Sequence, residues 1–380
     1  MNYNMRYRTL KVIISGGGTG GHIFPALSIA NKLKEVNPDT EILFVGAEGR
    51  MEMEKVPAAG YRIIGLPIAG LQRKLTLSNL ALPFKVMKSI RMARRTLKEF
   101  KPDIAIGVGG YASAPLLWAA GQLGIPTLIQ EQNGFAGLTN KILGKKARSI
   151  CVAYEGMEKF FPAERIVLSG NPIRKDIVPA TAQMRKEGYD FYGLDPEKRH
   201  IFIVGGSLGS RTLNEAMQGW IMDGCPGGKD MEVIWQCGKY YRPSVDRFME
   251  EMKSAGRDVS WIRHSDFIQR MDLAYAVADV VISRSGASSV SELCAAHKAT
   301  IFVPSPNVTE DHQTHNAMAL VNKEAALIVR DAEAREKLME TACGLLEDTE
   351  KIARLEKNIS ELALRDAAMT IVDEIYRILE

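Results

Sequence analysis

Cysteine is scarce in this 380-residue chain, and the five present (Cys151, Cys225, Cys237, Cys294 and Cys343) are scattered without a CxxC pair. That excludes a disulfide framework and a cysteine-based zinc site, and it fits a reducing compartment. Histidine numbers only six. His312 and His315 stand at H-x-x-H spacing, but no third ligand accompanies them, so no metal is expected. An unbroken apolar run is also missing. Residues 104–130 carry no charge, yet Gly107, Gly109, Gly110, Pro115, Gly121, Gly124 and Pro126 interrupt them. They read as a strand at 104–108, a loop, a short helix at 116–123 and a strand at 127–130, not as a membrane span. The first residues hold no apolar core long enough for a signal peptide. No low-complexity tract occurs, and 46% hydrophobic with 25% charged residues is ordinary globular composition.

Acid is absent from one stretch. Between residues 73 and 98 there are eight basic side chains and no acidic one. Val86, Ile90, Ala93 and Leu97 form a helical apolar stripe there, while Lys88, Arg91, Arg95 and Lys98 lie on another face. The segment "LTLSNLALPF" just before it is rich in apolar groups. This is either a core helix with a solvated basic face or a surface for anionic lipid. The imbalance extends further. Residues 1–175 hold 25 basic and 12 acidic side chains, whereas residues 176–380 hold 24 and 33. A basic half suggests an anionic partner surface, nucleic acid or membrane.

What is present is an alternation of strand-like runs with helical patterns: "EILFVG", "PDIAIGVGG", "PTLIQEQN", "RIVLSGNP", "HIFIVGGS", "MEVIWQCG", "ADVVISRSG" and "ATIFVPSP". Such alternation implies α/β architecture with parallel sheets and helices on both faces. The length exceeds one typical core. A strand, glycine turn and helix occur at "KVIISGGGTGGHIFPALSIANKL", again at "IFIVGGSLGSRTLNEAM", and a third time at "DVVISRSGASSVSEL". Two similar doubly wound domains are therefore expected. The boundaries fall at 1–172 for the first domain and 173–198 for a polar, proline-bearing linker. The second domain then covers 199–362, and a C-terminal helix at 363–380 packs back on the first domain.

The first glycine turn places five glycines in residues 16–21 and contains G-x-G-x-x-G at Gly16, Gly18 and Gly21. It suits an anion at a helix start, a nucleotide, or simply tight strand–helix packing. His22 follows at the C-terminal edge of a strand, where open α/β sheets bind ligands; it either caps the helix or does acid–base work. Ser207 in the second turn and the third turn's Ala287, Ser288 and Ser289 offer hydroxyls and N–H groups to an anion. Glu292 either accepts a ribose diol or serves the helix dipole. Glu131, Gln132 and Asn133 follow an apolar strand and are expected to point away from the core. Arg174, in a turn near the domain junction, suits a diphosphate. Asp311, His312, Gln313, His315 and Asn316 read better as sugar-binding amides than as a metal site.

Taken in order, "GGGTGGHIFPALSIA", "GVGGYASAP", "QEQNGFAGLTNK", "GNPIR", "GGSLGS", "RSGASSVSE" and "DHQTHNA" resemble the MurG family over nearly the whole chain. These are the peptidoglycan glycosyltransferases that add N-acetylglucosamine to lipid-linked muramyl-pentapeptide. The resemblance implies two Rossmann-like domains facing a cleft, the GT-B arrangement, and UDP-N-acetylglucosamine as donor with no cofactor. It implies that residues 287–291 (Ala287, Ser288, Ser289, Val290 and Ser291) face the nucleotide, that Glu292 takes the ribose and that Ile268 meets the uracil through its backbone. Ser207 and Arg174 would contact the phosphates, Gln313 and Asn133 the donor sugar. Thr19, Gly20 and Gly21 would line the acceptor side, near the diphosphate of the undecaprenyl-linked muramyl-pentapeptide. His22 is the first choice for the base or its orienting partner, and Glu131 the second. Residues 73–98 would meet the anionic cytoplasmic face of the inner membrane as a peripheral surface, with no nucleic-acid partner. One departure is visible: related members often carry Ala-Leu-Thr where this chain has Ala287-Ser288-Ser289. Three rival readings stay open: a glycosyltransferase with a diacylglycerol acceptor, an NAD-dependent oxidoreductase with Glu48 on the ribose, and a non-catalytic membrane-binding module that senses sugar nucleotides.

Overall fold

The computed structural model describes residues 7–68, 82–206, 208–228 and 230–380. Two compact units result: residues 1–173 with 364–380, and residues 174–363.

In the first unit, β1 (Lys11–Gly16), β2 (Glu41–Ala47), β3 (Arg62–Leu66), β4 (Ile104–Gly109), β5 (Thr127–Glu131), β6 (Ser149–Val152) and β7 (Ile166–Leu168) form one sheet. The order is β3-β2-β1-β4-β5-β6-β7, and the pairings are parallel. Successive side chains of a strand alternate faces, and both faces here are apolar. Ile13, Leu43 and Val45 enter one core, while Val12, Ile14 and Phe44 enter the other. The helix Ala367–Leu379 closes the second face with Ile371, Val372, Ile375 and Tyr376. The Tyr376 ring meets Tyr7 edge-on at 4.8 Å, its hydroxyl donates to the Arg8 carbonyl, and the Tyr7 hydroxyl donates to Asp373.

The second unit carries β8 (Arg199–Val204), β9 (Met231–Gln236), β10 (Ile262–Ser265), β11 (Val280–Ser283), β12 (Thr300–Phe302) and β13 (Leu327–Ile328) in the order β10-β9-β8-β11-β12-β13. It too is parallel.

Of the segment 173–198, expected as a linker, residues 174–198 are part of the second unit. Thr181 caps the helix Ala182–Tyr192 by accepting the Met184 N–H at 3.2 Å, and the Tyr192 hydroxyl donates to the Arg270 carbonyl at 2.9 Å. Its sequence is polar and holds Gly188 mid-helix, which hid the periodicity.

Strand order reverses at β1/β4 in the first sheet and at β8/β11 in the second. Ligands of such sheets bind beyond the carboxyl ends of the strands at these switch points. The glycine turn after β1 and Gly109 at the end of β4 occupy the first. The turn after β8 and residues 284–286 after β11 occupy the second.

Candidate active site

Thr19 stands at the N-cap of the helix Gly20–Val36 in an extended conformation, without a side-chain cap. Gly20 and Gly21 open that helix, and His22 lies in its first turn. The His22 Nδ1 is 3.0 Å from the Gly17 carbonyl oxygen. A carbonyl can only accept, so Nδ1 carries a proton, and in the neutral imidazole the lone pair then falls on Nε2. The ring rests on Gly109, whose φ of +105° suits glycine and whose Cα leaves no room for a methyl: a Cβ there would lie 2.6 Å from His22 Cδ2.

The glycine turn departs from its expected role at one donor. The Gly18 N–H is already taken by Oε2 of Glu52 at 2.8 Å. Glu52 opens the helix Glu52–Ala58 and is buried. Sequence reasoning passed over it; the signal was an acid shortly after the Gly-bearing end of β2, four residues beyond the Glu48 that was weighed instead.

Glu131 and Gln132 do not point away from the core, as expected, but are 3% and 2% exposed. Glu131 accepts from the N–H and side-chain amide of Asn133, from the Gly137 N–H at 3.3 Å and from Asn140 Nδ2 at 2.8 Å. A carboxylate so saturated holds the loop at 133–140 in place, its oxygens engaged by four donors. Gln132 donates to the Val108 and Gln130 carbonyls. Asn133 remains at the partly exposed edge.

In the second unit, Gln236 fastens the glycine turn. Its Oε1 accepts the Gly205 N–H at 2.9 Å, and its Nε2 donates to the Gly206 and Asp266 carbonyls, both at 2.9 Å. It thereby joins that turn to the segment holding Ile268. This buried amide at the end of an apolar strand was overlooked in the sequence. The Ile268 side chain is buried beside an exposed Phe267. Ser207 lies outside the described residues.

Gly286 caps the helix Ala287–Ala296 without any side-chain bond. Ala287, Ser288 and Ser289 form its first turn, with Ser291 and Glu292 in the next. Val290 differs: its side chain is core and its N–H already bonds Gly286, so it presents no group to a ligand. Arg284 anchors the approach by donating to Ser210, Val303 and Asp331. Ser285 donates to the Gln313 carbonyl at 2.8 Å, and Gln313 Oε1 accepts the Ser305 N–H at 2.9 Å, which orients the Gln313 amide.

Glu292 accepts from the Tyr275 hydroxyl at 3.3 Å. Loss of hydration pushes its carboxyl up to about 6, while Arg174 and the Tyr275 bond pull it back. Arg174 itself pairs loosely with Asp176 at 3.4 Å and stays half-exposed. Arg174, Tyr275 and Glu292 are thus neighbours, a cation and a phenol beside one carboxylate.

The helix Leu82–Phe100 follows the expected pattern. Ala93 and Leu97 are buried, while Lys85, Lys88, Arg91, Arg95 and Lys98 are exposed, as are Phe84 (76%) and Met87 (61%). Residues 69–81, including Leu75, Leu77 and Leu80, lie outside the described residues. Among the described residues no helix is long and apolar enough to cross a membrane.

Residues 12–152 match the glycosyltransferase family 28 N-terminal domain, and residues 200–371 match its C-terminal domain. The chain is 55% identical over 373 residues to the UDP-N-acetylglucosamine--N-acetylmuramyl-(pentapeptide) pyrophosphoryl-undecaprenol N-acetylglucosamine transferase of Parabacteroides distasonis, across 98% of this chain and 99% of that one. It is 50% identical to the protein of the same name from Porphyromonas gingivalis, across 100% and 98%. The crystal structure of Acinetobacter baumannii MurG superposes with a TM-score of 0.77 at 30% identity, covering 97% of this chain and 99% of that one. The S. aureus MnaA–UDP structure, at 14% identity and a TM-score of 0.66, shares the fold. Ordered motifs, two Rossmann-like units and full-length identity converge: the chain belongs to the MurG family of glycosyltransferases, built from the two family 28 domains.

Proposed function

We propose that the protein transfers N-acetylglucosamine from UDP-N-acetylglucosamine to the C4 hydroxyl of muramyl-pentapeptide carried on undecaprenyl diphosphate, converting lipid I into lipid II. The observation that carries this reading is the 55% identity, over essentially the full length of both chains, to a transferase named for that reaction.

The chemistry is a single inverting displacement. The C4 oxygen attacks the anomeric carbon, the bond to the UDP oxygen breaks, and the electron pair leaves on the diphosphate. His22 takes the hydroxyl proton on Nε2; the Nδ1 bond to Gly17 supports this tautomer. Glu131, the second choice for the base, is better suited to holding the Asn133 loop, given its burial and its four donors. Glu292 accepts the ribose diol, and Arg174 with the first turn at 287–289 balances the departing diphosphate. Ile268 meets the uracil through its backbone, Ser207 a phosphate, and Gln313 with Asn133 the donor sugar. Thr19, Gly20 and Gly21 sit against the acceptor's diphosphate at an uncapped helix start. Residues 73–98 attach the protein peripherally to the anionic cytoplasmic face of the inner membrane, an assignment supported by the exposed cations and by Phe84 and Met87.

The deciding experiment gives the full chain labelled UDP-N-acetylglucosamine with purified muramyl-pentapeptide lipid or with diacylglycerol. Transfer to the first alone is expected. Transfer to diacylglycerol, or saturable NADH binding with no sugar transfer, refutes the proposal.

A further inference from the structure

We infer that Glu52 is a positioning residue for His22, acting through the single peptide group that joins Gly17 to Gly18. The inference rests on the reading of His22 as the base.

The geometry is a relay. Glu52 Oε2 accepts the Gly18 N–H at 2.8 Å, and the Gly17 carbonyl oxygen lies 3.0 Å from His22 Nδ1. That N–H and that carbonyl are the two ends of one planar amide. The other carboxylate oxygen accepts the Ala47 N–H at 3.0 Å. The group is 1% exposed, and Gly17 and Gly46 make room for it: a Cβ at Gly17 would overlap the carboxylate itself. Burying a carboxylate is costly without bonds to its charged form, so its presence behind a bare glycine turn calls for a task.

A charged acceptor at the N–H end of an amide shifts electron density toward its oxygen, because linked hydrogen bonds polarise one another. The Gly17 oxygen therefore holds the Nδ1 proton more firmly and fixes the lone pair on Nε2. When the C4 hydroxyl proton reaches Nε2, the imidazole becomes a cation. The Glu52 charge, relayed through the peptide, then stabilises it while the new C–O bond forms and the electron pair leaves on UDP. The arrangement serves the purpose of a carboxylate–histidine pair with an amide inserted between its members.

The test is a double-mutant cycle on the full chain with UDP-N-acetylglucosamine and a short-chain acceptor. Glu52→Gln keeps the volume but removes the charge and turns a donor toward one of the two N–H groups. We expect kcat to fall about tenfold or more, the scale for lost orienting partners of functional histidines, with both KM values nearly unchanged. In the His22→Ala background the same change should lower kcat no further. An equal loss in both backgrounds overturns the inference, since a merely structural effect is blind to the histidine. Near-normal kcat for His22→Ala alone overturns instead the reading of His22 as base, and the relay with it. Nitrogen NMR of labelled histidine in the unmodified protein decides independently of whether the variants fold. The proton of neutral His22 on Nδ1 is expected; a proton on Nε2 overturns the relay.

Discussion

The Tyr275 hydroxyl donates to Oε2 of Glu292 across 3.3 Å, tying the helix Met271–Val277 to the helix Ala287–Ala296. Glu292 is the only member of this pair ionised at neutral pH. Burial lifts its carboxyl to about 6 and the Tyr275 phenol well above its ordinary value. If the ionised carboxylate accepts both ribose hydroxyls, Glu292→Ala should weaken donor binding by about 2–4 kcal/mol, the worth of two charge-assisted bonds. Donor affinity of the unmodified protein should also fall as the pH drops through about 6. Calorimetric titration with UDP-N-acetylglucosamine checks both, and an unchanged affinity in the variant removes Glu292 from the ribose.

The same carboxylate should weaken the fold. Its pKa in the native state, about 6, lies above the ordinary 4.5. The native state therefore holds the proton more tightly. That stabilisation is complete below about 4.5 and is lost as the pH rises through 6, a difference of about 2 kcal/mol. Glu292→Gln should raise the unfolding free energy of the second unit at pH 8, with little effect near pH 4.5. Denaturant melts at the two pH values measure the contrast.

His22→Ala should lower kcat by about 10²–10⁴-fold while donor affinity stays near normal. Glu131→Gln replaces an acceptor of four bonds by a group that must turn a donor toward some of them. It should cost about 1–3 kcal/mol of stability and affect kcat less than the histidine change. A larger kcat loss from Glu131→Gln than from His22→Ala reverses their ranking.

Gly109→Ala tests the floor under the imidazole. The added methyl would meet His22 at 2.6 Å from Cδ2, and the backbone φ of +105° penalises any side chain. Turnover should collapse by about 10²-fold, since misplacing a reacting group by about 1 Å costs that much. Donor binding, which the proposal assigns mostly to residues of the second unit, should persist. A variant with near-normal turnover shows that the ring need not sit where it does.

Reversal of Lys85, Lys88 and Arg91 to Glu addresses the membrane surface. Each cation near an anionic bilayer contributes about 1 kcal/mol, screened by salt. The unmodified protein should sediment with anionic vesicles at low salt and release as salt rises, whereas the reversed variant should stay in solution. Turnover of a short-chain, water-soluble acceptor should survive. Undiminished sedimentation of the variant means that this helix face is merely solvated.

Much of this was legible in the sequence because parallel strands buried on both faces announce themselves as apolar runs. β2, β4, β5, β8, β9, β11 and β12 were readable on that basis. β3, with "RIIGL", and the two-residue β13 were too short or too mixed. The helix Ala182–Tyr192 was lost to polarity and Gly188. At the site, glycine turns, His22 and Glu292 stood out because their residue types are unusual where they fall. Glu131 was misjudged, since a polar residue at a strand end looks the same whether it faces a ligand or caps a loop. Only the donors around it decide, and Asn140 and Gly137 are remote in the pattern. Glu52 and Gln236 were missed for the converse reason: their partners are backbone groups, which leave no trace in side-chain spacing.

The helix Ala367–Leu379 has a consequence for synthesis of the chain. Ile371, Val372, Ile375 and Tyr376 complete a core whose other buried members lie more than 180 residues earlier, among them Val12, Ile14 and Phe44. During translation the first unit must therefore wait, the apolar patch beside the helix Gly20–Val36 still open, while the entire second unit is made and folds. The nascent chain thus carries an exposed apolar patch for the time needed to add those residues, at about 5–20 per second. A ribosome-bound chain stopped at residue 363 should bind holdase chaperones through the apolar patch that the last helix covers, and release of that helix should end the hold.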